Sequence, residues 1–375
     1  QEATWRAYAA GKSGLLHAPT GLGKTLAVWM GPVAEAIGRE DKGDVCRVLW
    51  LTPLRALARD TVRSLEEPLR ECGDGLEVGM RTGDTSSYRK AKLREKLPFA
   101  LVTTPESLSL MLTYEDTRSK LAGLRCVIVD EWHELMGTKR GVQTELCLAR
   151  LRGWVPGLRT WGISATMGNL EEARGTLLGG GTADAVLVDA RVERPLDFRS
   201  MIPREVGRFP WGGHLGITMV KRVAAELKKG GSTLVFTNTR SQAEIWFQGL
   251  VDADASLEDQ LAIHHGSLSR EEREETEGAL MEGRLRAVVC TSSLDLGLDF
   301  SCVDRVIQIG SPKGVSRLLQ RAGRSGHGPG RTPRLLCVPT NALELIEFAA
   351  VQDAIDRREI ESRVPLKRPL DVLVQ

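Results

Sequence analysis

The hydrophobic and polar positions change period several times along the chain. Short apolar runs, each long enough for one buried strand, alternate with longer segments whose apolar residues recur at helical spacing. Such alternation predicts β–α–β units built around a parallel sheet. In the first half, the predicted strands are Gly14–His17, Arg47–Thr52, Ala100–Thr103, Cys126–Asp130 and Thr160–Ser164, and the predicted helices are Lys24–Gly38, Arg55–Cys72, Pro105–Leu112 and Gly141–Arg152.

A stretch rich in proline and glycine, Val192–Gly216, interrupts this alternation and predicts a linker. The alternation then resumes, with predicted helices Ile217–Lys229, Ser241–Val251, Glu271–Met281 and Ala342–Arg358, and predicted strands Thr233–Thr237, Gln260–His264, Ala287–Thr291, Arg305–Ile309 and Leu335–Val338. The prediction is an α/β chain with two domains of similar size, residues 1–192 and 217–367, joined through residues 193–216. Nucleotide chemistry is expected at the carboxyl ends of the strands, facing the cleft between the domains.

Composition limits the class of protein but does not indicate which molecule the protein binds. The 375 residues suit two or three domains, and no apolar run approaches the roughly 18 residues of a membrane span. The 51 basic and 49 acidic residues leave a net charge of +2, so bulk charge does not indicate a nucleic-acid partner. The seven cysteines form no Cys-x-x-Cys pair, which favours reduced thiols in a cytoplasmic protein over disulfides or a metal site.

A glycine-rich segment follows the first predicted strand and leads into the first predicted helix. It is Ala18-Pro19-Thr20-Gly21-Leu22-Gly23-Lys24-Thr25. The glycines let the backbone turn its N–H groups inward, and the helix N-terminus adds partial positive charge. Lys24 can reach the β- and γ-phosphates, and the Thr25 hydroxyl can hold Mg²⁺. The segment therefore predicts a site for ATP and Mg²⁺ that uses Thr20, Gly21, Leu22, Gly23, Lys24 and Thr25.

Two acidic residues follow directly after the apolar run Cys126–Val129. The end of a buried strand delivers Asp130 to the cleft, where its carboxylate can hold Mg²⁺. Glu131, one residue later, can orient and deprotonate an attacking water. Adjacent acids also form solvated turns, so the pair gains its meaning only together with the phosphate loop. His133 either couples the nucleotide to neighbouring loops or caps a turn, and both alternatives stay open.

Segments in both halves resemble, in the same order, the motifs of superfamily 2 helicases. Asp130-Glu131-Trp132-His133 is similar to a DExH box. The other matching segments are Thr52–Leu57 (TPLRAL), Thr103–Leu108 (TTPESL), Ser164–Thr166 (SAT), Thr291–Phe300 (TSSLDLGLDF) and Gln320–His327 (QRAGRSGH). The resemblance covers nearly the whole chain, and it implies two tandem RecA-like domains, each a mainly parallel sheet flanked by helices, with the nucleotide cleft between them.

Finer matches point to the large helicase-related, or Lhr-type, family. The sequences DEWHEL at Asp130–Leu135 and MGTKRGVQTEL at Met136–Leu146 resemble this family, and within it the bacterial ligase-associated DEXH-box helicases. The last eight residues, Arg368–Gln375, are similar to the start of the family's winged-helix region. Because the family is longer, the resemblance implies that the chain holds the two motor domains alone, and we expect a monomer.

The resemblance also implies roles for residues around the nucleotide. Gln1 matches the position of an adenine-sensing glutamine, and Asp299 matches a residue that meets the ribose. Arg321 and Arg324 match arginines that reach the γ-phosphate, and Gln320 would help to place the phosphate and the water. Such arginines contribute on the order of 10³–10⁵ in rate.

Contacts to a nucleic-acid strand are expected from loops that follow the predicted strands. A motor that moves along any sequence should hold the phosphate backbone, for which N–H groups, short hydroxyls and arginines are suited. Each loop taken alone could be only a helix N-cap. The expected contacts are Thr52, Pro53, Arg55, Thr82, Gly83, Thr104, Pro105, Asn238, Thr239, Arg240, His265, Gly266, Thr291 and Ser292. Ser164 and Thr166 would connect the nucleotide site to the strand.

The resemblance implies an ATP- and Mg²⁺-dependent motor that moves 3′→5′ along single-stranded DNA and separates DNA or RNA:DNA duplexes. A role in DNA repair, with a ligase or nuclease in the same pathway, and a bacterial cytoplasmic location near the nucleoid are expected on the same ground. Two alternatives stay open: an RNA helicase, and a nucleic-acid-binding module switched by nucleotide. A P-loop kinase for small molecules would not explain the motif-like loops of the second half.

Overall fold

The computed structural model describes residues 1–19, 21–39, 45–72, 75–180, 184–190, 195–203, 210–211, 215–296, 302–326 and 332–374. They belong to two compact units. The first is Gln1–Val192 together with Ser362–Gln375, and the second is Glu193–Glu361.

A seven-stranded sheet forms the centre of the first unit. Its strands are β1 (Gly14–His17), β2 (Val48–Leu51), β3 (Val78–Arg81), β4 (Ala100–Thr103), β5 (Cys126–Val129), β6 (Arg159–Ser164) and β7 (Val186–Asp189). They lie in the order β3-β4-β2-β5-β6-β1-β7, and every neighbouring pair is parallel. In a parallel sheet all carboxyl ends lie at one edge, so the loops after β5, β6 and β1 are neighbours.

Helices cover both faces of this sheet. They are α1 (Glu2–Ala9), α2 (Lys24–Gly38), α3 (Arg55–Cys72), α4 (Ser87–Glu95), α5 (Pro105–Met111), α6 (Thr117–Lys120), α7 (Trp132–Leu135), α8 (Lys139–Trp154) and α9 (Leu170–Leu178). Successive residues of a strand point to opposite faces. In β2, Val48 and Trp50 pack into one hydrophobic cluster, whereas Leu49 and Leu51 pack into the other. This two-sided burial explains why the central strands are continuous apolar runs.

A second, six-stranded parallel sheet forms the centre of the second unit. Its strands are β8 (Asp197–Ser200), β9 (Ser232–Phe236), β10 (Leu261–His264), β11 (Ala287–Cys290), β12 (Val303–Ile309) and β13 (Arg334–Val338), in the order β10-β11-β9-β12-β13-β8. Its helices are α10 (Val220–Leu227), α11 (Arg240–Ala253), α12 (Arg270–Met281), α13 (Val315–Ala322) and α14 (Ala342–Asp356). Within the described ranges, no helix has the length and apolar content needed to cross a membrane.

The predicted fold class is confirmed, and the predicted strands are present with ends that differ by one or two residues. The hydrophobic pattern missed β3, β7 and β8, which all lie at sheet edges. Their residues are mostly half-buried, because an edge strand lacks a neighbour on one side. β3 and β8 lack a continuous apolar run, and β7 is apolar only over Val186–Val188, so the pattern that reveals a central strand is weak in these three strands.

The predicted linker, residues 193–216, is only partly a linker. Strand β8 lies inside it and pairs in parallel with β13 from Asp197↔Arg334 to Ser200↔Cys337. The pairing satisfies backbone groups that a solvated linker would leave to water. This part of the predicted junction is therefore an edge strand of the second sheet.

The end of the chain also differs from the predicted division at residues 367 and 368. The segment Ser362–Gln375, with the short helix α15 (Leu370–Leu373), belongs to the first unit. The Asn169 side chain donates to Arg363 O at 2.8 Å and accepts from Arg363 N at 2.9 Å. Lys139 and Asp371 form an ion pair. These tertiary contacts have no signal in the local sequence, which explains the difference.

Candidate functional site

The loop between β1 and α2 has the backbone geometry of an anion-binding turn. Gly21 and Gly23 have φ values of 76° and 69°, in the left-handed region that glycine enters without a steric clash. Helix α2 begins at Lys24, directly after Gly23. The first amides of a helix lack intrahelical acceptors and suit a phosphate. Thr20 lies outside the described residues, whereas Leu22 and Thr25 flank the turn as expected.

Lys24 and Gln1 both contact this loop. Lys24 Nζ donates to Ala18 O at 2.8 Å, which places the ammonium across the turn. Gln1 Nε2 donates to Gly23 O at 3.3 Å, and a Cβ added to Gly23 would lie 2.6 Å from that nitrogen. The structure thus brings the predicted adenine-sensing residue to the phosphate loop. Its contact with a base stays a prediction.

Asp130 follows β5, and its carboxylate is held by two donors. Trp50 Nε1 donates to Oδ2 at 3.3 Å, and Glu131 N donates to Oδ1 at 2.9 Å. Burial, and after it the negative charge of Glu131, raises the pKa of Asp130 to about 7, whereas the indole N–H and the charge of Lys24 act in the opposite direction. A bound cation would add to this opposing effect and favour the ionised carboxylate.

The oxygen donors at this site fit Mg²⁺. Thr25 offers a hydroxyl and Asp130 a carboxylate. The described part of the chain contains no group of three or more His, Cys, Asp or Glu side chains placed to hold a metal. Mg²⁺ is commonly held by one or two carboxylates together with waters and substrate phosphates, so a single aspartate suits a nucleotide-bound magnesium. The use of Mg²⁺ stays a prediction.

Glu131 lies in a backbone conformation that side chains rarely adopt. Its φ is 45°, in the left-handed region, and its side chain is largely buried. Among the described residues, no hydrogen-bond donor contacts its buried Oε2. A carboxylate oxygen without a donor can accept a proton from water. The geometry therefore suits the predicted general base.

His133 connects the acidic pair to the segment Ser164–Thr166. Ala165 N donates to His133 Nδ1 at 3.4 Å, and this nitrogen also lies 3.5 Å from Glu131 Oε2. Burial is the main cause that lowers the pKa of His133, so the neutral ring is favoured at pH 7. Of the two alternatives for His133, this contact favours coupling. Ser164 Oγ is buried and has no hydrogen-bond partner within the described ranges.

The predicted strand-binding loops of the first unit lie at the carboxyl ends of the neighbouring strands β3, β4 and β2. A cavity of about 400 Å³ has among its lining residues Arg55, Thr82, Gly83 and Thr104. Thr52, Pro53 and Pro105 are buried and do not line it. Thr52 Oγ1 donates within its own loop, to Leu54 O at 3.1 Å. These three side chains therefore shape the loops, and the predicted contact of the three residues with a strand stays a prediction.

The predicted strand-binding loops of the second unit follow β10, β11 and β9, which are also neighbours. Arg240 Nη1 donates to Ser267 Oγ at 2.6 Å, which joins two of the loops. Asn238 donates to a backbone carbonyl at 2.7 Å, and Thr239 caps α11. After β10 and β11 lie the remaining predicted contacts, His265, Gly266, Thr291 and Ser292. The structure thus groups these residues at one edge of the second sheet, and their contact with a strand stays a prediction.

Arg321 differs from its predicted role. Its Nε donates to Asp295 Oδ1 at 2.7 Å, its Nη2 to Asp295 Oδ2 at 3.3 Å and its Nη1 to Gln308 Oε1 at 2.6 Å. The guanidinium lies 4.6 Å from the centre of the Phe236 ring, and the residue is 2% exposed. Each guanidinium nitrogen is thus engaged inside the second unit. We therefore revise Arg321 from a phosphate contact to a positioning residue that ties α13 to the Asp295 segment.

Gln320 and Arg324 lie beside this ion pair. Gln320 belongs to α13, and Arg324 follows the end of the helix, with Arg324 N donating to Arg321 O at 2.9 Å. Both side chains are largely buried. Asp299 lies outside the described residues, as does the end of the QRAGRSGH segment. The roles of Gln320, Arg324 and Asp299 at the nucleotide stay predictions.

Comparison with known proteins agrees with this arrangement. The family model "DEAD/DEAH box helicase" matches residues 1–173, and "Helicase conserved C-terminal domain" matches residues 217–328. The ATP-dependent helicase Lhr-Core of Sulfolobus acidocaldarius is 38% identical, over 97% of this chain and 43% of that protein. The structure of Mycobacterium smegmatis helicase Lhr bound to ssDNA and AMP-PNP is 35% identical with a TM-score of 0.86, over 99% of this chain and 49% of that chain.

The chain belongs to the Lhr-type superfamily 2 helicases. This confirms the resemblance and the two RecA-like domains expected from the sequence. The Lhr-type chain spans less than half the length of the curated relatives it matches, including the Lhr helicase/uracil glycosylase of Escherichia coli, which is 33% identical over 100% of this chain and 28% of that protein. The finer assignment to ligase-associated helicases stays a prediction.

Three residues of the Lhr-type site carry little signal in the sequence. Trp50 and Gln308 each lie in a mostly apolar segment, where the pattern predicts core packing, and Asp295 lies in the helicase-like segment Thr291–Phe300 without a predicted role of its own. The only hint is the occurrence of an acid or amide in such a segment, since a buried polar side chain requires a partner. The structure supplies the partners, Asp130 for Trp50 and Arg321 for the other two.

Replacing Trp50 with phenylalanine should weaken magnesium-dependent nucleotide binding in the Lhr-type chain. An aromatic ring remains in the core, but Asp130 loses the N–H that orients its Oδ2. We expect the Mg²⁺ concentration for half-maximal binding of a fluorescent ATP analogue to rise about tenfold, the lower range for a hydrogen bond to a charged group. A Mg²⁺ titration of analogue fluorescence measures this without turnover.

Trp29→Phe is the matched control for this change. Trp29 stacks edge-on against Trp50 with ring centres 6.4 Å apart, and its Nε1 donates to Leu65 O at 3.1 Å instead of to the site. It loses the same atoms from the same cluster, so a general packing defect would affect both variants. Equal Mg²⁺ midpoints in Trp50→Phe and Trp29→Phe would show that the indole does not position Asp130.

Proposed function

We propose that the chain is an ATP-driven motor that moves 3′→5′ along single-stranded DNA and separates DNA or RNA:DNA duplexes. The observation that carries the proposal is that the first unit holds the phosphate loop, the Asp130–Glu131 pair and a basic cavity at the carboxyl edge of one sheet. The ssDNA and AMP-PNP in the similar Mycobacterium smegmatis structure support this choice of ligands. A repair role beside a ligase or nuclease is proposed from the resemblance alone.

Several residues are proposed to have separate roles in ATP hydrolysis, most of them in the first unit. Bound Mg²⁺ would neutralise charge on the β- and γ-phosphate oxygens. Lys24 adds positive charge at the same phosphates, and the amides around Gly21 and Gly23 hold them. Glu131 Oε2 orients the attacking water and accepts its proton as the oxygen bonds to the γ-phosphorus and the β–γ bridge breaks. For Arg324, which belongs to the second unit, the resemblance is our ground for proposing that it supplies positive charge to the γ-phosphate in the transition state.

Movement requires that the nucleotide changes how the strand is held. The contact from His133 to Ala165 N gives the Glu131 site a direct link to the segment Ser164–Thr166. That segment begins at the last residue of β6, and Asp130 directly follows the neighbouring strand β5. We propose that loss of the γ-phosphate shifts this linked pair of loops and, through them, the loops that grip the strand.

The first test is Mg²⁺-dependent ATP hydrolysis by the chain alone, with single-stranded DNA and with single-stranded RNA. We expect strong stimulation by DNA, and a loss of at least about 10²-fold in Lys24→Ala, which removes charge from the transferred phosphoryl group. Stimulation by RNA alone would assign the RNA helicase, and nucleotide binding without turnover would assign the switched binding module. Hydrolysis indifferent to both strands would contradict strand coupling in this chain.

The direction of movement and the choice of substrate are tested with duplexes that carry a single-stranded tail on one side. We expect ATP-dependent strand separation from a 3′ tail and little from a 5′ tail, for both DNA and RNA:DNA duplexes. Preference for the 5′ tail would overturn the proposed direction while leaving the motor assignment intact.

A further inference from the structure

The charged residues that line the cavity beside Arg55, Thr82, Gly83 and Thr104 in the first unit are mainly cations. Its volume of about 400 Å³ lies within the range of roughly 300–1,000 Å³ of small-ligand sites, which is room for a nucleotide-sized group. Its charged lining consists of Arg55, Arg81, Lys90 and Arg94 against one acid, Glu106. Glu106 is itself paired with Arg140, and Arg55 is paired with Asp84, which leaves Arg81, Lys90 and Arg94 as the cations that set the sign of the charge. The cavity therefore has an excess of positive charge suited to an anionic ligand.

Helix α4 contributes one helical face to this cavity. The lining residues from α4 are Ser87, Lys90, Ala91 and Arg94, which are spaced i, i+3, i+4 and i+7. Residues at this spacing share one side of a helix. Arg89 and Lys92 of the same helix are exposed and do not line the cavity. The helix thus presents two basic side chains to the cavity and two away from it.

Arg81 supplies a buried cation to the cavity wall. It is 3% exposed, and its Nη1 donates to Ser107 O at 2.7 Å and to Ser107 Oγ at 2.9 Å. Its Nη2 donates to Tyr114 Oη at 3.2 Å, and its Nε has no partner among the described residues. These acceptors are neutral, whereas a buried cation is stabilised most by an anion. The positive charge of Arg81 is therefore available to stabilise a phosphate bound at this wall.

Lys90 and Arg94 are held in place at the cavity. Lys90 Nζ donates to Gly83 O at 2.9 Å, so this side chain is tied to a loop that is expected to contact the strand. The Arg94 guanidinium lies 4.4 Å from the centre of the Tyr114 ring. Side chains that are already ordered lose less conformational entropy when they bind a ligand.

We propose that the inner face of α4 is a wall of the strand groove, where Lys90 and Arg94 bind phosphodiester groups of the single strand beyond those held by the loops after β2, β3 and β4. The proposal rests on the function proposed above and names α4, which matches no helicase motif quoted for this chain, as part of the same groove. A continuous strand is favoured over a free nucleotide because the cations extend along the helix axis, about 6 Å from Lys90 to Arg94, and continue to the loops at Arg55 and Gly83.

The test compares two double variants of the 375-residue chain that carry the same change of charge. Lys90→Gln/Arg94→Gln removes the inner pair, and Arg89→Gln/Lys92→Gln removes the outer pair of the same helix. Glutamine keeps the first two methylenes of each side chain and suits a helix, so the fold is expected to be preserved. Affinity for a fluorescent single-stranded DNA homopolymer is measured by anisotropy over a range of NaCl concentrations.

Each phosphate contact contributes about 0.7 to the slope of log K against log salt for a single strand. We expect the inner-pair variant to lose about 1.4 from this slope and about tenfold in affinity at low salt, and the outer-pair variant to stay close to the parent. Lys90→Gln alone, which leaves the Arg94–Tyr114 packing intact, should lose about 0.7. Equal slopes in the two double variants would overturn the α4 assignment while parental DNA binding still supports the proposed function.

Two other results bear on the proposal. If the parent chain fails to bind single-stranded DNA, the proposed function fails together with the groove. If sodium phosphate displaces the DNA far more than sodium chloride at equal ionic strength, and only when Lys90 and Arg94 are present, the cavity is a site for free phosphate. That result would overturn the strand assignment, whereas equal displacement by the two salts supports it.

Discussion

A chain with Glu131→Gln is expected to bind ATP as the parent does but to hydrolyse it about 10²–10⁴-fold more slowly. Glutamine keeps the shape of the side chain and can still contact water, but its amide cannot accept the proton that the attacking water must lose. The backbone at this position has a φ of 45°, and the two similar side chains meet the same steric limits there. Single-turnover hydrolysis at saturating ATP, paired with equilibrium binding of a non-hydrolysable analogue, separates the two steps.

Glu134→Gln is the matched control for this experiment. Glu134 is the next acid along α7, and its Oε1 lies 3.7 Å from His133 Nε2, on the side of the ring away from Glu131. The change removes the same charge three residues further along the chain, inside α7, so a general electrostatic effect on the nucleotide would appear in both variants. If both variants hydrolyse ATP at one rate, the proton acceptor lies elsewhere and Glu131 only shapes the turn.

The central strands of both sheets could be predicted because they are buried on two faces. β4 and β5 are apolar at every position except Thr103, and all their residues are buried. The edge strands β3, β7 and β8 bury less and mix charged with apolar residues, as in Asp197–Ser200, so the period of the pattern is lost. Burial sets the pattern, and burial at an edge depends on the rest of the fold.

The part of the site that could be predicted consists of contiguous segments. Gly21, Gly23 and Lys24 form a phosphate loop through local backbone geometry, and Asp130 and Glu131 follow a strand that the sequence reveals. The contact between Trp50 and Asp130 joins residues 80 positions apart. No local pattern specifies such a pair, because its partners are chosen by strand order in the folded sheet.

The local sequence also does not show which basic residues of a helix face a binding site. The segment Ser87–Glu95 has four basic residues, which at sequence level indicate only a solvated helix face. The strand order places this helix beside the loops that follow β3 and β4, and its rotation about its own axis selects Lys90 and Arg94 over Arg89 and Lys92. The difference between a binding residue and a solvated one is therefore a property of tertiary structure.

The two arginines of the QRAGRSGH segment are expected to respond in opposite ways to replacement with alanine. Arg324→Ala should bind ATP but lose about 10³–10⁵-fold in hydrolysis, the magnitude typical of an arginine that stabilises the γ-phosphate. Arg321→Ala should destabilise the second unit by about 3–5 kcal/mol, because it leaves the buried carboxylate of Asp295 without its main partner. Hydrogen exchange of peptides from α13, measured beside ATP turnover, reports the two effects separately.

A second substitution distinguishes stability from catalysis at Arg321. Adding Asp295→Asn to Arg321→Ala removes the uncompensated charge, so part of the lost exchange protection should return. The same addition to Arg324→Ala should restore no hydrolysis, because the proposed role of Arg324 is at the γ-phosphate and does not depend on the charge of Asp295. If Arg321→Ala instead keeps full protection in α13 and abolishes hydrolysis, the guanidinium leaves Asp295 during turnover. The phosphate contact implied by the sequence would then replace the positioning role.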